Sequence, residues 1–322
     1  MAFDSIPAIE VSAAIPADFR LSSGQTLDAG QVTGRLHGPA GAPLVVVAGG
    51  ISSGRNPTDW WPEVVRAHGP IDLTRLRVLA FDFLPGLGEQ TVTITTRDQA
   101  RLLALLLDTL GEARIDAFVG ASYGGCVGLA FAEAFPERIG RLVAISATHR
   151  AHPAATAWRG VQRRVLAFAR DCGREAEGLS LARQLAMTTY RTAQEFDLRF
   201  DGAAPPSAGE AYPICDYLIA RGDAYAAQDA NRWISLSDSL DRHAVRPEAV
   251  RCALTVIGVS SDQLAPIEDS RELARRAPAL ERLVELPSVF GHDAFLKEHD
   301  RIGRALFDAL SSLTVPAREI AA

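Results

Sequence analysis

Three residues of this chain have the types and the order of a serine nucleophile with its acid–base partners. The first, Ser122, lies in Gly120-Ala121-Ser122-Tyr123-Gly124, a Gly-x-Ser-x-Gly turn. An apolar run precedes the turn and a small-residue helical pattern follows it, which is typical of a nucleophile elbow that exposes a serine hydroxyl. The pentapeptide alone arises by chance about one time in ten in such a chain, so the prediction depends on this context.

A serine nucleophile needs a base, and the base needs an acid that orients it. Chains with this elbow supply them downstream in the order serine, acid, histidine. Asp262 follows a predicted strand at 253–259, and His292 follows another at 283–286. An isolated aspartate in a loop is more often a turn or N-cap residue. The position of Asp262 between a strand and a helix, upstream of a histidine loop, favours the catalytic interpretation.

Acyl chemistry at a serine also needs two backbone N–H donors for the oxyanion. One is predicted at Tyr123, directly after the nucleophile, and the other in the loop after the first core strand. That loop contains Gly49, Gly50 and Ile51. We place the second donor at Ile51, with Gly50 as the alternative. The glycine pair also fits a tight turn, and the two roles are compatible.

The elements that must position these residues alternate between apolar runs and helical patterns. Buried strands are predicted at 44–48, 78–83, 117–120, 142–145, 253–259 and 283–286, and helices at 97–110, 125–135, 270–276 and 293–310. This alternation predicts a mostly parallel, doubly wound α/β sheet. Between about 148 and 247 the pattern is helical throughout. We therefore predict a sheet core from residues 1–147 and 248–322, and an inserted all-helical cap domain at 148–247 over the carboxyl ends of the strands.

Composition limits the classes of function. The chain has 322 residues, 48% of them hydrophobic and 22% charged, which suits a globular enzyme. A net charge of −6 argues against a nucleic-acid partner. We expect no membrane span, because no apolar run has the necessary length, and no secretory signal. Four separated cysteines favour reduced thiols over a metal site, so we predict a cytoplasmic protein without a metal.

Arginines crowd the predicted cap. Arg183 and Arg191 lie in an otherwise apolar helix, where a cation facing a cleft would bind a carboxylate bidentately. An ordinary interhelical salt bridge is an equal alternative for both. Solvated helix faces are expected for most of the other cap arginines, which are Arg159, Arg163, Arg164, Arg170, Arg174 and Arg199.

Gly291-His292-Asp293-Ala294-Phe295-Leu296 resembles the Gly-His-Asp-x-Phe-Leu signature of the homoserine O-acetyltransferase family within the α/β-hydrolase superfamily. Ser23-Gly24-Gln25-Thr26-Leu27 is similar to the family's opening strand, and Trp60-Trp61 followed by Gly69-Pro70-Ile71-Asp72 to its Trp-Trp and Gly-x-x-Asp segment. Residues 181–191 are similar to its cap helix, and Asp229-Ala230-Asn231-Arg232-Trp233 to its Asp-Ala-Asn-x-Tyr segment. Residues 257–262 resemble the strand and loop that carry the acid. The resemblance covers residues 21–310.

The resemblance implies an α/β-hydrolase fold and acyl transfer by a ping-pong route in methionine biosynthesis. Ser122 would accept an acetyl or succinyl group from acyl-CoA, and His292, oriented by Asp262, would then activate the hydroxyl of L-homoserine. The family pattern places Arg183 on the substrate carboxylate and Asp293 on the amino group. It also implies acyl-CoA as a co-substrate, no bound cofactor and a homodimer formed through the cap.

Three features depart from the family pattern. Tyr123 stands where the family usually has methionine, the segment 82–90 is shorter than its glycine-rich equivalent, and the whole chain is shorter than typical members. Donor and acceptor therefore stay open. The alternatives are an L-serine O-acyltransferase and a serine esterase of the same fold. A binding protein is disfavoured because all three triad residue types are present. One methylene separates the two acceptors, a difference worth about 1–3 kcal/mol in a pocket.

Overall fold

A computed structural model describes residues 8–27, 30–85, 92–202 and 206–313. The extreme N-terminus, and most of the segment 82–90 that departs from the family pattern, lie outside these residues. The strands are β1 (Ala8–Ala14), β2 (Gln31–His37), β3 (Leu44–Ala48), β4 (Val65–Arg66), β5 (Ile71–Asp72), β6 (Arg77–Phe81), β7 (Ile115–Ala121), β8 (Ile139–Ile145), β9 (Ala253–Val259) and β10 (Leu280–Leu286). The helices are α1 (Pro57–Trp60), α2 (Thr96–Thr109), α3 (Tyr123–Ala134), α4 (Pro153–Asp171), α5 (Glu175–Tyr190), α6 (Ala193–Phe200), α7 (Pro213–Asp223), α8 (Ala230–Asp241), α9 (Ile267–Arg276), α10 (Ala294–Lys297) and α11 (His299–Leu310).

Eight strands form one sheet in the order β1-β2-β6-β3-β7-β8-β9-β10. Neighbouring strands from β6 to β10 are parallel, while β1 and β2 add an antiparallel edge. The prediction of a mostly parallel α/β sheet is confirmed. The sequence did not predict β1 and β2, because β1 is largely exposed and its residues mix polar and apolar types.

Both faces of the central strand β7 are covered. Phe118 packs in a core that includes Phe131 of α3, whereas Val119 packs in a second core that includes Ile302 and Leu306 of α11. A strand buried on both faces is a continuous apolar run. This burial explains why β7 and its parallel neighbours could be predicted from hydrophobicity alone.

The chain between β8 and β9 forms the five helices α4 to α8, which we call the helical insertion. Its described residues contribute no strand to the sheet. It has a small apolar core of its own, which contains Leu166, Leu179 and Trp233. The division of the chain into two domains at 148 and 247 stays a prediction.

Two local predictions are wrong. Residues 23–27, matched to an opening strand, form a turn in which Gly24 has a φ of +85° and Arg20 bridges to Thr26. The predicted helix at 293–310 is divided into α10 and α11. The Phe295 carbonyl, which a continuous helix would pair with the His299 amide, accepts a hydrogen bond from Trp61 Nε1 at 2.9 Å.

Candidate active site

Ser122 occupies a strained turn between β7 and α3. Its φ of 53° and ψ of −121° lie in a region that non-glycine residues rarely adopt. Close packing around the turn requires glycine. A Cβ at Gly120 would lie 2.5 Å from the Gly124 carbonyl oxygen, and one at Gly124 would lie 2.3 Å from the Ala48 carbonyl oxygen. The geometry is that of a nucleophile elbow, as the sequence predicted.

The three candidate catalytic side chains form one chain of hydrogen bonds. His292 Nε2 lies 2.7 Å from Ser122 Oγ, and His292 Nδ1 lies 2.7 Å from Asp262 Oδ2. The loops after β7, β9 and β10 supply the three residues at one edge of the sheet. With the Nδ1 proton donated to Asp262, Nε2 is free to accept the proton of Ser122.

The environment of Asp262 fixes its orientation. The carboxylate is buried, and its second oxygen, Oδ1, accepts hydrogen bonds from the amides of Leu264 at 2.8 Å and Ala265 at 3.0 Å. Burial of His292 by itself would lower the pKa of the imidazole, but the negative charge and hydrogen bond of Asp262 raise it above its usual value. His292 is therefore a stronger base than a free imidazole.

The Tyr123 amide directly follows the nucleophile in the chain, and Ile51 lines the cavity that Ser122 contacts. Within the described part of the chain, neither the Tyr123 amide nor the Ile51 amide has a hydrogen-bond acceptor. The loop that carries Ile51 is held against the elbow, because the Gly124 amide donates to the Gly49 carbonyl at 2.8 Å. Gly50, the alternative donor, lines the same cavity.

The Tyr123 side chain, a departure from the family pattern, does not line the cavity. Its ring is fully buried against Phe83, and its hydroxyl lies 2.8 Å from Ser239 Oγ. Burial raises the pKa of the phenol. The Tyr123 side chain therefore belongs to the core behind the elbow.

A cavity of about 220 Å³ contacts both Ser122 and His292. One part of its wall comes from loops at the carboxyl edge of the sheet and the other from the helical insertion. The insertion contributes Arg159, Gln162, Arg183, Tyr190 and Trp233. Ligands of open α/β sheets bind at this edge, so the cavity is the candidate substrate site.

The two arginines that helical position alone could not separate differ in the structure. Arg191 is buried, forms an ion pair with Glu195 and places Nη2 3.4 Å from Asp293 Oδ2. Arg183 has no carboxylate partner in the described residues. Its guanidinium lies between two aromatic rings, 5.3 Å from the centre of Tyr190 and 4.9 Å from that of Tyr225.

This arrangement leaves Arg183 as a cation that is oriented but not neutralised. Aromatic faces attract a guanidinium and hold its direction without removing its charge. Asp293, the second residue expected to contact the amino acid, also lines the cavity. The cavity thus presents Arg183, which has no carboxylate partner among the described residues, and Asp293, whose carboxylate also contacts Arg191.

Sequence reasoning missed two features of this wall. Arg159 was expected on a solvated face, but its side chain is 12% exposed and lines the cavity. Tyr190 and Tyr225, which orient Arg183, were not identified as site residues. The spacing of Ala155, Arg159 and Gln162 along one face of α4 is a signal that could have identified Arg159.

Neither a metal centre nor a membrane span accompanies the cavity in the part of the chain that the structure describes. That part contains no group of three or more histidine, cysteine, aspartate or glutamate residues placed to hold a metal ion. None of its helices is long and apolar enough to cross a membrane.

Comparisons with known proteins agree with this architecture. Residues 42–299 match the α/β hydrolase fold family. In solved structures, a homoserine O-acetyltransferase from Staphylococcus aureus superposes with a TM-score of 0.81 at 24% identity, covering 94% of this chain and 95% of that one. Esterase E22 superposes with a TM-score of 0.84 at 16% identity, covering 94% of this chain and 100% of that one. At these identities the superpositions show the fold.

Curated relatives give the narrower family. A protein of Xanthomonas campestris pv. campestris named homoserine O-succinyltransferase is 45% identical over 287 residues, which cover 85% of this chain and 77% of that protein. A homoserine O-acetyltransferase of Clavibacter michiganensis subsp. michiganensis is 30% identical, covering 84% and 78%. The chain therefore belongs to the homoserine O-acyltransferase family of the α/β-hydrolase fold, the family that its motifs resemble.

Proposed function

We propose that this protein transfers an acetyl or succinyl group from acyl-CoA to the hydroxyl of L-homoserine, through an acyl-enzyme on Ser122. The observation that carries the proposal is the hydrogen-bonded series Asp262–His292–Ser122 facing a cavity that contains an unneutralised Arg183. A hydrolase needs only the hydrogen-bonded series of acid, histidine and serine. An enzyme that positions a zwitterionic amino acid also needs a cation such as Arg183 for the carboxylate.

In the first half-reaction, Ser122 Oγ gives its proton to His292 Nε2 and bonds to the thioester carbonyl carbon. The amides of Tyr123 and Ile51 would stabilise the oxyanion of the tetrahedral intermediate. The carbon–sulfur bond then breaks, and CoA leaves as a thiol with the proton from Nε2. Asp262 keeps the imidazole in the required tautomer and stabilises its positive charge.

In the second half-reaction, the homoserine hydroxyl gives its proton to His292 Nε2 and attacks the acyl-enzyme. The bond to Ser122 Oγ breaks, and the serine recovers the proton. Arg183 would bind the homoserine carboxylate and Asp293 its amino group. Holding the acceptor in this way lets the hydroxyl compete with water for the acyl group.

An end-point assay by mass spectrometry tests this proposal. The purified protein is incubated with acetyl-CoA or succinyl-CoA, each with equal amounts of L-homoserine and L-serine. One dominant O-acylhomoserine is the expected product, and Ser122→Ala should form no acyl-enzyme. O-acylserine as the main product would assign the alternative acceptor. Release of CoA with free acetate or succinate alone would assign an esterase and overturn the proposal.

We also propose a homodimer formed through the helical insertion. Six of the exposed large apolar side chains in the described residues belong to the insertion: Val161, Phe168, Leu181, Leu198, Tyr212 and Ile219. Such surfaces mark protein contacts when they are contiguous. Sedimentation velocity should show a dimer, and Phe168→Asp with Leu198→Asp should shift it towards monomer. A monomeric wild-type protein would contradict this assignment.

A further inference from the structure

Three guanidinium groups line the cavity, and their charges are balanced differently. Arg150 lies 3.2 Å from Asp269 and 3.4 Å from Glu272, so its charge is compensated. Arg183 has no carboxylate partner among the described residues and is available for the carboxylate of the acceptor. The third group, Arg159, has a partner but is not neutralised by it.

Arg159 shares one carboxylate with a second arginine. Its Nη2 lies 2.7 Å from Asp241 Oδ1, while Arg163 Nη2 lies 2.6 Å from Asp241 Oδ2. Two cations thus surround one carboxylate and leave one net positive charge. The three side chains are between 8% and 22% exposed. A net charge that is mostly removed from water is costly unless an anion approaches it.

The helical spacing of α4 directs this charge into the cavity. Ala155, Arg159, Gln162 and Leu166 share one face of the helix, and the first and last of them are fully buried. Arg159 and Gln162 line the cavity, whereas Arg163 does not. The Gln162 side-chain amide has no hydrogen-bond partner within the described ranges. It offers a second donor beside the guanidinium.

The charge of Arg159 acts on groups beside the nucleophile. Burial raises the pKa of the Cys126 thiol to about 12, and the positive charge of Arg159 partly opposes that rise. At His292, where burial lowers the pKa and Asp262 raises it, Arg159 acts in the lowering direction. These effects show that Arg159 lies within electrostatic reach of the acyl-transfer site.

We propose that Arg159, together with the amide of Gln162, binds the distal carboxylate of a succinyl group and so selects succinyl-CoA over acetyl-CoA. The inference rests on the proposed function, in which Arg183 takes the acceptor carboxylate. An acetyl group would bring no second anion to the cavity and would leave the net positive charge that Arg159 and Arg163 share over Asp241 uncompensated. A succinyl group supplies that anion, and a guanidinium binds a carboxylate in a two-pronged geometry.

Arg159 takes no part in the changes of bonds. During acylation, the bond between Ser122 Oγ and the first succinyl carbon forms, the carbon–sulfur bond breaks, and CoA leaves with the proton of His292. Arg159 holds the far end of the acyl chain and thereby orients the thioester carbonyl. It is a specificity-determining residue, and its effect depends on the donor.

The test compares acylation of Ser122 by the two donors, followed by intact-mass spectrometry without any acceptor. The wild-type protein should react faster with succinyl-CoA. Arg159→Gln should lower the second-order rate constant for acylation of Ser122 by succinyl-CoA about 10- to 100-fold. The corresponding rate constant for acetyl-CoA should change by less than about threefold. Arg164→Gln is the matched control, because Arg164 is an exposed cation of the same helix that neither lines the cavity nor pairs with Asp241. It should leave the ratio of the acylation rate with succinyl-CoA to that with acetyl-CoA unchanged.

Each outcome has a definite meaning. A wild-type protein that prefers acetyl-CoA overturns the selection of succinyl-CoA, whatever the variants do, and leaves the proposed function standing. Equal losses for both donors in Arg159→Gln, or the same change in the ratio of the two acylation rates in Arg164→Gln, would show a structural role and also overturn it. Acylation by neither donor would refute the proposed function and this inference together.

Discussion

Replacing Asp262 by asparagine tests the proposed catalytic arrangement most directly, because the structure dictates how the new side chain must sit. Asp262 Oδ1 accepts two backbone N–H groups, from Leu264 and Ala265. An asparagine must therefore turn its oxygen to that side, since an NH₂ group there would face two donors. Its NH₂ group then points at His292 Nδ1.

This orientation reverses the tautomer of the imidazole. His292 Nδ1 must now accept a hydrogen bond, so the ring proton moves to Nε2, the atom 2.7 Å from Ser122 Oγ. A protonated Nε2 cannot take the serine proton. We expect acylation of Ser122 to slow by about 10³- to 10⁴-fold, which corresponds to about 4–5.5 kcal/mol of transition-state stabilisation.

Stability should change much less than the rate. The asparagine keeps both backbone hydrogen bonds and nearly the same volume, so the free energy of unfolding should fall by about 1 kcal/mol or less. Asp72→Asn is a matched control outside the cavity, because Asp72 Oδ1 also accepts two backbone amides, from His68 at 2.8 Å and Thr74 at 2.9 Å. It should leave the acylation rate unchanged.

Pre-steady-state release of CoA, measured from pH 5 to pH 9, provides the assay. In the wild type the rate should fall as the pH drops through the raised pKa of His292, because protonated imidazole cannot act as a base. In Asp262→Asn the residual rate should fall only at a lower pH, because the carboxylate charge that raises the pKa of His292 has been removed. A variant that keeps more than about a tenth of the wild-type rate would refute the orienting role of Asp262.

Three further predictions follow from the packing and charges. Gly124→Ala should destabilise the fold by about 3 kcal/mol, because the new Cβ would meet the Ala48 carbonyl. Gly160→Ala is the control on α4, where a Cβ meets open space, and it should stabilise the fold by about 0.5–1 kcal/mol. Thermal unfolding measures both changes. A fall in melting temperature with Gly160→Ala, or none with Gly124→Ala, would contradict this reasoning. Burial lowers the pKa of His243 to about 4 in the folded protein, so on acidification the unfolded chain binds the proton first. The free energy of unfolding should therefore decline by up to about 3 kcal/mol as the pH falls from about 6.5 to about 4. His243→Gln, which can keep both hydrogen bonds of the ring, should flatten that decline, and an unchanged slope would assign it to other groups. Arg183→Gln should raise KM for homoserine about 10- to 100-fold with donor acylation unchanged; equal losses in both half-reactions would indicate a structural role.

The sequence by itself determined the elements that depend on neighbouring residues. The apolar runs of β3 and β7 are buried on both faces, so hydrophobicity alone identifies them. The glycines around Ser122 specify a close strand-to-helix turn, and the order of Ser122, Asp262 and His292 places all three at one edge of a parallel sheet. The motifs carried by these elements were enough to indicate the family.

Only the tertiary structure decided which charges are balanced. Arg183 and Arg191 lie in the same apolar helical pattern, yet Glu195 and Asp293 neutralise one and no described carboxylate reaches the other. Arg159 faces the cavity with a shared counter-ion, Asp241, that lies 82 residues away in the chain. Periodicity gives the face of a helix on which a side chain lies, but the charge that compensates it depends on contacts between distant segments. That physical difference is why the position of Ser122 could be predicted from the sequence and the shared counter-ion of Arg159 could not.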